Sequence, residues 1–242
     1  MRMKTPKIVE NVTDYHDLYK GKRCFILGNG PSLNQTDLSL LRDEYTFGCN
    51  KISLLYEKRS WHPSFYVMVS SDIWRMDWLD AVRKSIELGM PCFLRDAYIN
   101  DTIENFYQSA HELDNVYFLN CEGARKGYPY PDSYWSYDIS KKATKWGTIL
   151  LTCIQIATYM GFDEIYLLGC DLGFSKADKG EIVNFDPEYN PVNYDSNGDR
   201  HSYEAHVLAK RMTEKVGTKI FNATVGGSLE VYPRKNYSEL FV

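Results

Sequence analysis

Cys24-Phe25-Ile26-Leu27-Gly28-Asn29-Gly30-Pro31-Ser32-Leu33 decides the fold class of this 242-residue chain. The first four residues are an apolar run of strand length. The next stretch can turn sharply, because glycine accepts positive φ without steric cost and asparagine does so more readily than most residues. Backbone N–H groups exposed in such a turn make an anion-binding nest at the carboxyl end of the strand, where open α/β sheets hold nucleotides. An ordinary strand-to-helix turn capped by Ser32 would be written the same way. Leu33 stands where G-x-G-x-x-G needs its third glycine, and G-x-x-x-x-G-K-[ST] is absent. Neither the dinucleotide fingerprint nor a P-loop is supported.

Outward from this turn, short apolar runs alternate with helical patterns, the signature of βαβ units and a parallel sheet. Strands are predicted at Cys24–Leu27, Thr46–Cys49, Phe65–Val69, Cys92–Leu94, Val116–Leu119, Ile165–Leu168 and Ile220–Phe221. Helices are predicted at Leu38–Leu41, Ile52–Glu57, Met76–Leu88, Asp101–Ala110, Thr148–Met160 and Tyr203–Val216. Gly89 and Gly161 follow helices and suit left-handed C′ positions. The expected architecture is one α/β domain over 1–242, an open, mostly parallel sheet with helices on both faces. Two stretches break the alternation, Asn120–Lys145 and Leu172–Arg200. Loops of this length in a compact domain are lids, binding loops or disordered segments.

Bulk composition bounds the function. Apolar residues at 44% and charged residues at 25% are ordinary for a soluble globular protein. A net charge of −4 argues against a nucleic-acid partner held by a broad basic surface. The six cysteines are scattered with no C-x-x-C pair, which suits buried free thiols in a reducing compartment. No signal-peptide pattern and no run near the roughly 18 apolar residues of a spanning helix is visible. A cytoplasmic protein is expected. Tyr128, Tyr130, Tyr134, Trp135 and Tyr137 crowd one loop, and Tyr189, Tyr194 and Tyr203 another, suited either to stacking on a ligand or to protein contacts.

Candidate site residues fall at predicted strand ends. Gly28, Asn29, Gly30 and Ser32 follow the first strand, and Asn50 follows the second. Ser70 and Asp72 follow the third, Gly147 and Thr148 precede a helix, and Asp171 ends Leu167-Leu168-Gly169-Cys170-Asp171. Asparagine amides both donate and accept, which suits a ribose hydroxyl, a base edge or a phosphate. Asp171 could orient a hydroxyl, hold a metal, or merely cap a loop. His201 closes the second long loop and opens a helix, where burial and the helix dipole can tune an imidazole. His206, five residues on, should lie off that helix face and matter little. No Asp-x-Asp occurs to clamp a metal, and no G-x-S-x-G or Cys–His nucleophile signature appears.

Phe25–Leu33, Cys49-Asn50, Gly161–Asp171, His201-Ser202 and Ser228-Leu229 resemble the bacterial family-42 sialyltransferases. More of the chain, including Gly48-Cys49-Asn50 and Asn222–Arg234, resembles bacterial proteins of the 6-hydroxymethylpterin diphosphokinase MptE-like family. The first resemblance implies a GT-A-like fold and a metal-independent, inverting transfer from a CMP-activated sugar. Asn29, Gly30 and Asn50 would contact the nucleotide, and His201 would deprotonate the acceptor hydroxyl. Where those enzymes place two lid tyrosines after the strand-end aspartate, this chain has Gly173 and Lys179. Tyr189 and Tyr194 are the available replacements, and Lys145-Trp146-Gly147-Thr148 replaces a Thr-Ser-Gly. The expected function is therefore a glycosyltransferase acting on a surface-glycan or lipid-linked acceptor hydroxyl, with no cofactor. The alternatives are a Mg²⁺-dependent diphosphokinase, with Asp171 and Asp72 on the metal, and a non-catalytic nucleotide-binding protein. A homo-oligomer is implied by the resemblance, and Arg234 and Lys235 beside Tyr232 and Tyr237 could touch the inner face of a membrane.

Overall fold

The computed structural model describes residues 3–70, 76–96, 106, 108–123, 127–173, 183–189 and 198–242. All seven predicted strands are present: β1 (Arg23–Leu27), β2 (Tyr45–Cys49), β3 (Phe65–Met68), β4 (Cys92–Arg95), β5 (Val116–Leu119), β8 (Glu164–Leu168) and β9 (Lys219–Asn222). They form one all-parallel sheet in the order β5-β4-β3-β2-β1-β8-β9. The order reverses at β1, and a crevice lies there at the carboxyl ends of the strands.

Alternation along each strand divides the core. Cys24, Ile26, Phe47, Phe65, Val67, Phe93, Ile165 and Leu167 face one layer, built with α3 (Ile149–Tyr159) and α4 (Gly198–Glu214). Phe25, Leu27, Tyr66, Met68, Leu94, Tyr166 and Leu168 face the other, built with α1 (Leu54–Arg59) and α2 (Met76–Glu87). Strands buried on both faces read as continuous apolar runs, which is why their positions were legible. All six cysteines are free and buried.

Several expectations need correction. Leu38–Leu41 is a 3-10 turn, and a second, Asn50–Ser53, precedes α1. The segment Asn120–Lys145 is not all loop. Cys121–Gly123 (β6) and Ala143–Lys145 (β7) pair in parallel as a second small sheet. Gln155, wholly buried in the otherwise apolar α3, holds that segment in place. Its Oε1 accepts from the amides of Ser136 and Thr144, each at 3.1 Å, and its Nε2 donates to the Thr144 carbonyl at 2.8 Å. A side chain with all its polar capacity met can be buried at little cost. Helix α4 begins at Gly198, ahead of the expected Tyr203, with Asp199 in the first turn where a carboxylate complements the helix dipole. Most of the helix predicted over Asp101–Ala110 lies outside the described residues. Among the described residues, no helix is long and apolar enough to cross a membrane.

Candidate functional site

The crevice at the reversal of strand order has a volume of about 220 Å³. Gly28, Asn29 and Gly30 line it from β1, Asn50 from β2, and Gly169–Leu172 from β8. Gly147–Leu150 enter from the start of α3, Ser202 and His206 from α4, and Leu229 from the loop after β9. Asn184 and Tyr189 enter from the second long loop. The separate motifs of the sequence thus converge on one place.

The glycines are there for closeness, not for left-handed backbone. Gly28 and Gly30 do not take positive φ, contrary to expectation. A Cβ on Gly28 would run into the Gly169 carbonyl oxygen, with the carbonyl carbon at 2.9 Å. One on Gly30 would run into the Asp171 carboxylate. The loops after β1 and β8 are laced together by Gly28 N–H donating to the Leu168 carbonyl at 2.7 Å and Gly30 N–H to that of Gly169 at 2.9 Å. Glycine alone lets two backbones approach so closely.

Asp171 completes that lacing. Its Oδ2 accepts from Ser32 Oγ at 2.8 Å and its Oδ1 from the Ser32 amide at 3.2 Å. Ser32 is itself buried and does not line the crevice. Burial raises the Asp171 pKa, and the bonds from Ser32 only partly oppose this. A carboxyl whose folded pKa lies above the unfolded value stabilises the fold fully below that unfolded value. The contribution is lost as pH rises through the folded pKa. Asp171→Asn is therefore expected to leave stability unchanged or raised, by at most about 1 kcal/mol at neutral pH, because the group is partly solvated. It should also flatten the pH dependence above the ordinary aspartate range. Urea midpoints measured across mildly acidic to neutral pH check this, and a marked loss at neutral pH would contradict it.

The asparagines are the unsatisfied part of the site. Asn50 sits in left-handed backbone at φ 55°, with its carbonyl taken by the Tyr66 hydroxyl at 2.7 Å. Asn29 Nδ2 donates to Cys49 Sγ at 3.4 Å, and its carbonyl accepts from the Phe185 amide and Asn184 Nδ2. Yet Asn29 Oδ1 and Asn50 Oδ1 are buried with no hydrogen-bond partner among the described residues. A buried polar atom left in that state costs about 1–3 kcal/mol, which a ligand donor would recover. The segment 183–189 is moored beside them. Asn34 Nδ2 donates to the Phe185 carbonyl at 2.7 Å, Lys51 Nζ to that of Glu188 at 2.6 Å, and Lys58 pairs with Asp186 at 2.7 Å.

The start of α3 and the second turn of α4 meet at the crevice. Thr148 caps α3 by accepting from the Leu150 amide, while Gly147, at φ 68°, lies against the His201 carbonyl. Ser202 Oγ ties the two helices by donating to the Gly147 carbonyl at 3.0 Å. Helix N-termini place partial positive charge toward an anion. His201 is not among the lining residues. Its Nδ1 lies 2.5 Å from the Tyr128 hydroxyl and 2.8 Å from that of Tyr130, with Trp146 edge-on to the ring. Two of the five aromatics of that loop, Tyr128 and Tyr130, thus hold this imidazole. His206, which sequence reasoning set aside, does line the crevice. An i,i+4 spacing from Ser202 to His206 was the available signal.

Ser70 lies outside the crevice lining, and Asp72, Lys179 and Tyr194 lie outside the described residues. Among the described residues, no group of three His, Cys, Asp or Glu side chains could hold a metal. Arg234 is turned inward onto the carbonyls of Thr224, Gly226 and Gly227, and Lys235 sits over the Phe221 ring.

A seven-stranded parallel sheet with a polar crevice at its reversal point places the chain in the doubly wound α/β class. Residues 1–177 match the family described as 6-hydroxymethylpterin diphosphokinase MptE-like, and the chain belongs to that family. Among solved structures it is similar to the sialyltransferase CstII from Campylobacter jejuni, solved in complex with cytidine-5′-monophosphate as a substrate analogue. That match has a TM-score of 0.52 and 16% identity, covering 89% of this chain and 85% of the other, and it shows the shared fold. A second match, to the C-domain of a bacterial malonyl-CoA reductase solved with NADP, has a TM-score of 0.27 and carries no argument. No curated protein matches the chain.

Proposed function

We propose that the crevice binds a nucleotide and that the protein is a transferase, moving a sugar from a nucleotide-activated donor to a hydroxyl acceptor. The observation that carries this reading is the pair of amide oxygens of Asn29 and Asn50, buried and without a partner among the described residues, in the crevice that the N-terminus of α3 also lines. Those oxygens accept only, so they select a ligand with N–H or O–H donors, while the α3 start favours its phosphate. The likeness to a fold solved with CMP supports CMP as the first probe. The acceptor class we assign is a surface glycan or lipid-linked saccharide, and the resemblance to family-42 enzymes supports a homo-oligomeric assembly.

In the transfer itself, His201 would take the proton of the attacking hydroxyl on Nε2. That requires Nδ1 to carry the ring's own proton, and a tyrosine oxygen at Nδ1 is placed to accept it. Closure that brings the acceptor to His201 would complete the arrangement.

The family description favours a second reading, a magnesium-dependent diphosphokinase acting on a pterin-like alcohol. Asp171 fits a magnesium ligand poorly, since both its oxygens are already engaged by Ser32.

Calorimetric titration with CMP, UMP, GDP and ATP, each with and without Mg²⁺, tests both. Binding of CMP without metal is expected, and Asn29→Ala should weaken it by roughly 1–3 kcal/mol. Binding of ATP alone, and only with Mg²⁺, would replace the sugar-transfer reading by the diphosphokinase.

A further inference from the structure

His206 is buried at 3% exposure and yet forms part of the crevice wall, with Ser202 one helical turn before it on α4. Its side chain has one partner, the Tyr232 hydroxyl, 3.1 Å from Nδ1. The same hydroxyl lies 3.0 Å from the backbone carbonyl of His206. Tyr232 has one proton to give. If it goes to the carbonyl, Nδ1–H can donate to the phenolic oxygen, and both bonds are made. If it goes to Nδ1, the carbonyl keeps only its helical donor, the Lys210 amide, and Tyr232 makes one bond instead of two. The two-bond arrangement wins and puts the imidazole proton on Nδ1, leaving Nε2 a bare acceptor. Among the described residues Nε2 has no hydrogen-bond partner.

We propose that His206 Nε2 is a fixed acceptor in the crevice that receives a hydrogen bond from an O–H or N–H of the bound nucleotide, with Tyr232 as the residue that sets its tautomer. The proposal rests on the reading of the crevice as a nucleotide site. Asn29, Asn50 and His206 line the same crevice, so one occupant can meet both walls. The role is binding and positioning. Burial lowers the His206 pKa to about 4, so the ring stays neutral at physiological pH and is too weak a base for proton abstraction there. His201 and His206 thus divide the work: one is presented by tyrosines outside the wall, the other is locked within it.

The test is titration of the full chain with CMP, together with ¹⁵N spectra of the labelled histidines. Spectra of the free protein should show His206 with Nδ1 protonated and Nε2 bare, and CMP should shift Nε2 toward the hydrogen-bonded range. His206→Leu is expected to weaken CMP binding about tenfold, one ligand hydrogen bond. His206→Gln, which can place an amide oxygen near the Nε2 position, should recover most of that. Tyr232→Phe should weaken binding several-fold without touching the ligand. CMP that binds wild type normally but leaves the Nε2 resonance and the His206→Leu affinity unchanged overturns this proposal alone. Failure of wild type to bind any nucleotide overturns it together with the nucleotide reading. The spectrum of wild type decides the tautomer even if the variants fold poorly.

Discussion

Gly28→Ala is expected to lose about 3 kcal/mol of stability and to abolish nucleotide binding at the same time. The added methyl would meet the Gly169 carbonyl oxygen, and behind it Cys170 Sγ at 3.2 Å. The obstacle is backbone, and it cannot swing aside as a side chain tip would. Nor can the two strand ends part freely, since Gly28 N–H donates to the Leu168 carbonyl across the same gap. Opening that gap also displaces Asn29, whose amide the crevice uses. Gly123 is the control, because it has ordinary φ and, among the described residues, nothing within 4 Å of the place a methyl would take. Gly123→Ala should change stability by less than about 0.5 kcal/mol. Urea midpoints and CMP titration read both variants, and a Gly28→Ala protein with normal values in both would remove the close-approach account of this turn.

Replacing His201 by alanine should lower kcat by roughly 10²–10⁴-fold while nucleotide affinity moves by about twofold or less. The split follows from its position. Nδ1 is engaged by Tyr128 and Tyr130, and the ring is absent from the crevice wall, so the nucleotide alone has little to lose. Tyr128→Phe and Tyr130→Phe, which remove the oxygens that can receive the Nδ1 proton, should lower kcat with unchanged nucleotide binding. His206→Leu should do the reverse, acting chiefly on affinity. Steady-state kinetics with the acceptor identified, set beside CMP titration, separates the two histidines. If His201→Ala keeps full activity with its fold intact, the base is another group and only the binding site stands.

The seven strands, the two-faced core and the convergence of the glycine turn, Asn50, Asp171 and Leu229 were legible in the sequence. Each rests on local signals: a run of apolar residues buried on both faces, and turn residues directly after it. The small β6–β7 sheet was not legible, since three-residue strands between polar loops carry no period. Thr144 in β7 is held instead by the side chain of Gln155 on α3. Gly28 and Gly30 were found for the wrong reason: a sequence displays freedom of φ, whereas the need here is room for the carbonyl of Gly169 and the carboxylate of Asp171.

The exchange of roles around α4 has the same origin. From spacing alone His201 stood at the loop–helix junction and was ranked above His206, five residues away. Docking of α4 against the start of α3, through Gly147 and Ser202, sets which helix face meets the crevice. Tyr128 and Tyr130 then hold His201, and Tyr232 holds His206. By itself the sequence determined an alternating α/β chain with its chemistry at strand ends, because periodicity and turn preference act between neighbours. Tertiary structure alone decided which side chains were left unsatisfied at the point where the sheet reverses, because a buried atom's lack of a partner depends on residues far away in the chain.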